Sequence, residues 1–97
     1  MQSNWPEQMK REWEELKREG SDHYKTGEVE PIDLYYSLGI LHPFAAGCII
    51  KYATRSATKR PDPADAAKIR HYSRMLDFVG KWGPTPVAAI RQEAQDA

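Results

Sequence analysis

The stretch His42–Val79, "HPFAAGCIIKYATRSATKRPDPADAAKIRHYSRMLDFV", decides the fold. It reads as two helices with a break between them. Pro43 suits a first helical position, where its missing N–H costs nothing. Apolar residues recur from there at helical spacing to about Thr58. "PDPAD" stops the chain and restarts it, and the next helix runs from about Ala64 to Val79. On a wheel, Ala45, Ala46, Ile49, Ile50, Tyr52, Ala53 and Ala57 cover one broad side of the first helix, the side expected to pack. Lys51, Arg55 and Lys59 form a stripe on the other side, next to Phe44 and Cys48. Lys59 and Arg60 fit helix-end charges, which the macrodipole favours. Lys51, in mid-helix, does not.

The second helix has Ile69, Tyr72, Met75, Leu76 and Val79 on its apolar side, and Asp65 and Lys68 project there too. A charge on an inward face is costly unless it is paired or solvated in a cleft. Two readings follow. Either Asp65 caps its helix or pairs with Arg55, or Asp65 and Lys68 line a polar cleft facing the basic stripe.

Working outward, Pro31 opens a short helix, "PIDLYYSLG", that Gly39 ends. It is apolar nearly all round, which predicts burial. Residues 21–30 lack helical periodicity and read as an ordered loop. They carry His23, Tyr24 and Lys25, a titratable ring, an aromatic face and a cation in sequence. Before them, Ser3 or Asn4 can cap a helix that Gly20 stops, with Trp5, Met9, Trp13 and Leu16 on one narrow stripe. That stripe must dock on its own domain or on a neighbouring subunit, and a homo-oligomer built through it is expected. "GKWGPTP" reads as a turn, and Thr85 can cap a last helix with Val87, Ile90 and Ala94 inward. The expectation is one all-α domain over 1–97, with four to five helices. Residues 1–20 are its amphipathic N-terminal helix, and 80–97 its C-terminal turn and short helix.

Composition limits function. Fourteen Lys and Arg balance fourteen Asp and Glu, so no overall field attracts nucleic acid or an anionic membrane. Any electrostatic role must come from local clustering. A single cysteine excludes an internal disulfide and a cysteine-based zinc site. Cys48, in an apolar helical run, reads as a small packed hydrophobe. The N-terminus is too charged for a signal peptide, and no apolar run nears the ~20 residues of a membrane span. There is no phosphate loop, no G-x-G-x-x-G and no metal-ligand spacing. A soluble cytoplasmic protein without a resident metal or cofactor is expected.

Four short motifs, in order, resemble the SaV-like phage proteins, a small family that includes a phage nucleotide kinase. They are "HYK", then G-x-x-E-P-I-D, then F-x-x-G-x-x-I-K-Y-x-x-R, then D-x-x-K-x-x-x-Y, across residues 22–79. Cys48 stands where that pattern usually has Asn. The resemblance implies a phage protein that works on nucleotides in a bacterial cytoplasm. The residues themselves offer a phosphate-sized basic cleft. His23, Tyr24, Lys25, Lys51, Arg55 and Lys68 would hold the ligand, and Phe44 and Tyr52 offer stacking faces. Glu30, Asp33 and Asp65 would support the site, or hold magnesium if the protein were a small deoxynucleoside monophosphate kinase. The favoured expectation is nucleotide binding without turnover, for instance sequestering a signal nucleotide of host defence. A protein-interaction module acting on a host factor is the other alternative.

Overall fold

The computed structural model describes residues 2, 4–20 and 29–86. Four helices and no strands lie among them: α1 (Glu7–Arg18), α2 (Pro31–Ser37), α3 (Leu41–Thr58) and α4 (Pro63–Trp82). The expected last helix lies outside the described residues.

Asp62 starts α4 by accepting a hydrogen bond from the Ala64 amide at 2.9 Å, with Pro63 just inside. The four residues between α3 and α4 fold the two helices back on each other. Ring and charge contacts follow in antiparallel order: Phe44 with Tyr72, Tyr52 with Tyr72, Arg55 with Asp65. α1 lies antiparallel along the other side of α4, through Glu12 with Lys81 and Glu19 with Arg74. α4 therefore has two working faces. Met75 and Phe78 face the core, and this second face explains why Phe78 is buried although it lies off the apolar side read from the sequence. α4 also runs a turn further than expected. Trp82 packs on the core and its Nε1 donates to Glu12 at 3.2 Å, which holds that turn helical.

The Trp5, Met9, Trp13 and Leu16 stripe is buried inside the chain, each residue 4% exposed or less. This corrects the expected oligomer through the stripe, because no face of it is left for a second copy. The stripe meets Tyr36 and Phe78. Trp13 sits 5.1 Å from the Tyr36 ring and 4.9 Å from Phe78, and Trp5 stands edge-on to Trp13 and Tyr36. Aromatic rings bury about 150–250 Å² each, so one such cluster supplies much of a thin core.

Two packing expectations also change. α2 is not buried all round: Asp33 and Tyr36 face inward, while Leu34 and Leu38 are 53% and 72% exposed. In α3, Leu41 and Ala45 are buried but Ile50, Ala53 and Ala57 are exposed. The helix is rolled by roughly one residue's step of 100° from the expected orientation. The larger payload explains the roll, since Phe44 and Tyr52 bury ring area against Tyr72 and alanine methyls cannot match it. Between α2 and α3, Gly39 takes φ +75°, a region that a β-carbon disfavours. A β-carbon there would also lie 3.1 Å from the Thr85 methyl.

Candidate functional site

The roll of α3 brings Arg55 to the α4 interface. Its Nε lies 3.5 Å from the Oδ2 of Asp65, which is only 5% exposed. Asp65 sits in the first turn of α4, where the helix dipole also favours a carboxylate. The sequence left two readings for Asp65, and the Arg55 pair is the one observed. Lys68, one turn on, is exposed, and its Nζ lies 4.9 Å from the centre of the Tyr52 ring. Lys51 Nζ and Arg55 Cζ approach the same ring at 5.4 and 5.7 Å. Three cations thus converge on one tyrosine, with Asp65 as the carboxylate paired among them. Tyr52 in turn stacks on Tyr72, 8° from parallel at 6.0 Å. Chemically, the cluster presents ammonium and guanidinium donors around an aromatic face, a combination suited to phosphate oxygens and a planar group.

Beside this cluster lies a cleft of about 250 Å³. Tyr35, Phe44, Tyr72, Ile32, Leu16 and Met75 give it apolar and aromatic walls, and Lys17, Glu30 and His71 are its charged or titratable members. Tyr35 lies 4.5 Å from Phe44, and Phe44 stands edge-on to Tyr72 at 5.9 Å. Phe44 and Tyr72 therefore connect cleft and cluster. Gly20 and Glu30, which flank residues 21–28, both line the cleft. His23, Tyr24 and Lys25 lie outside the described residues.

Glu30 and Asp33 do structural work. Together they form a capping box at the start of α2: the Glu30 side chain accepts from the Asp33 amide, and Asp33 Oδ2 accepts from the Glu30 amide at 2.8 Å. Asp33, 2% exposed, also accepts from Trp13 Nε1 at 2.7 Å and from Lys17 Nζ at 3.0 Å. Lys17 reaches Glu30 as well, at 3.2 Å. Trp13 and Lys17 are one turn apart on α1, so both reach the same carboxylate and lock α1 to α2. No group of three His, Cys, Asp or Glu residues placed to hold a metal exists among the described residues. Sequence reading missed Lys17, Tyr35 and His71. The Trp13–Lys17 spacing is a local signal, but its partner Asp33 is fixed only by the tertiary fold.

This anchor has a pH signature. Burial lowers the Lys17 pKa, but the Asp33 and Glu30 carboxylates outweigh it, and the net value is raised from 10.5. Burial raises the Tyr36 phenol from 10.0, and its hydroxyl donates to the Gly83 carbonyl at 3.2 Å. Both groups hold their protons more tightly when folded. Their contribution is complete below the unfolded values and is lost as pH climbs through the folded ones. Thermal melts should therefore show a stability plateau up to about pH 10 and a steep fall above it, less steep in Tyr36→Phe. An unchanged melting temperature well above that pH would contradict the anchor.

No curated protein and no solved structure matches the chain. None of its described helices is long and apolar enough to cross a membrane. The model of DUF3310, a family of proteins of unknown function, matches residues 18–74. The match takes in the capping box, the cation cluster and most of the cleft, and leaves out most of α1 and the end of α4. Since it spans more than half of the 97 residues, the chain belongs to the DUF3310 family.

Proposed function

We propose that this protein binds a phosphate-bearing nucleotide, without turning it over, at the cation cluster around Tyr52. The observation that carries the reading is the convergence of Lys51, Arg55 and Lys68 on one ring, with Asp65 as the paired carboxylate among them. Solvated lysines on a helix usually spread apart, because like charges repel and each is better hydrated alone. Here three cations from two helices share one tyrosine and leave a net positive site beside a cleft. The Nη groups of Arg55 extend beyond the Nε that faces Asp65 and can fork onto phosphate oxygens.

The motif resemblance to SaV-like phage proteins favours a nucleotide over other phosphate esters, and sequestration of a signal nucleotide fits a binder of this kind. Binding is preferred to a kinase reaction because the three carboxylates expected to hold magnesium are engaged, Glu30 and Asp33 by Lys17, Trp13 and the start of α2, and Asp65 by Arg55. Phosphoryl transfer needs metal-held phosphates and a second nucleotide.

Calorimetry with nucleoside mono-, di- and cyclic phosphates tests the proposal. Arg55→Ala should weaken binding about tenfold, as expected for one lost charge-assisted contact. Arg70→Ala, on the exposed side of α4, should change affinity less than twofold by the same reasoning. Equal small effects of both substitutions would reject the cluster as the site.

A further inference from the structure

We infer that the cleft behind Tyr72 seats a nucleobase, so that the cluster's ligand is a nucleoside monophosphate held at both ends and not a bare phosphate or a sugar phosphate. The inference rests on the proposed phosphate site and extends it into a second compartment. Four rings, Tyr52, Tyr72, Phe44 and Tyr35, follow one another at 6.0, 5.9 and 4.5 Å from the cluster into the cleft. Tyr72 is common to both, since it stacks on Tyr52, which carries the cations, and also lines the cleft.

Size selects the occupant. Sites for drug-sized ligands run from about 300 Å³ upward, and this cleft holds about 250 Å³. One planar ring system fits, while a charged phosphate belongs outside with the lysines. The polar members select a base over an apolar ring. Glu30 and Lys17, paired at 3.2 Å, border the cleft with side chains only 13% and 10% exposed. An apolar ring would strip their remaining water and return nothing. A nucleobase has donor and acceptor edges to replace it. His71 adds a third polar group. Its Nδ1 faces Glu19 at 3.3 Å, and its Nε2 lies 3.7 Å from where a β-carbon on Gly20 would stand, on the cleft wall. With Nδ1 protonated toward Glu19, Nε2 accepts a hydrogen bond from a base amino or imino group.

The test titrates the full chain with inorganic phosphate, ribose 5-phosphate and the 5′-monophosphates of adenosine, guanosine, cytidine and uridine. At least one nucleotide should bind about fivefold or more tightly than ribose 5-phosphate, the low end of what base stacking on aromatic side chains contributes. His71→Ala and Phe44→Leu should shrink that advantage and leave the ribose 5-phosphate affinity unchanged, with melting temperatures confirming that both variants are folded. If ribose 5-phosphate binds as tightly as every nucleotide, the base seat is overturned and the phosphate cluster stands. If nothing binds to the folded protein, both are overturned.

Discussion

Asp33→Ala should destabilise the domain by about 3–5 kcal/mol, the range for removing one partner of a buried ion pair. A chain of this size has a total stability on the order of 5–15 kcal/mol, so the variant should be marginal or unfolded at 37 °C. The size of the effect follows from what the carboxylate does. It accepts from the Trp13 indole, the Lys17 ammonium and the Glu30 amide, and its loss leaves the indole and the amide without this acceptor and Lys17 with Glu30 alone. Lys17→Met should cost less, because Asp33 keeps two N–H donors and the methionine stem still fills the site, so that the remaining loss is that of the shared cation of Asp33 and Glu30. Denaturant unfolding of the two variants checks the order. Equal losses would mean that the ion pair with Lys17, not the threefold acceptor role of Asp33, holds α1 to α2.

The second large effect concerns binding. Lys51→Glu combined with Lys68→Glu should lower nucleotide affinity by at least a hundredfold. Charge-assisted hydrogen bonds contribute about 1.5–3 kcal/mol each. Both lysines are exposed, so the low end applies, and two such losses give roughly two decades at about 1.4 kcal/mol per decade. Reversing the charges adds repulsion toward phosphate. Because both side chains are solvated and Arg55 keeps its pair with Asp65, the melting temperature should hardly move. This separation of binding from folding distinguishes a ligand site from a structural charge cluster. Unchanged affinity in the double variant would refute the site.

Much of this architecture is legible in the sequence, for physical reasons. Helix signals are local. Pro31 and Gly39 bound α2, the "PDP" break separates α3 from α4, and the Trp5–Leu16 spacing marks the buried side of α1. What covers that side is not local. The stripe alone cannot distinguish a second copy from Tyr36 and Phe78, which approach it only through the fold. A wheel misplaces α3 because it counts apolar positions equally, whereas packing weighs them by area, and Phe44 and Tyr52 outweigh the alanines. The same roll decides the site. Lys51, Arg55, Asp65 and Lys68 were all nominated from sequence, and the structure gathers them around Tyr52. Glu30 and Asp33 were nominated for the same site, but the E-P-I-D spacing is that of a capping box, and Lys17 and Trp13 complete it.

The most direct test of the central claim is a titration of isotope-labelled protein with each of the 5′-monophosphates of adenosine, guanosine, cytidine and uridine at physiological salt, followed amide by amide by NMR. The account predicts saturable shifts at Lys51, Tyr52, Arg55, Lys68 and Tyr72, on the two facing helices, with residues on the outer side of α1 unmoved. Shifts confined to α1, or no shifts from a folded sample at millimolar nucleotide, would contradict it.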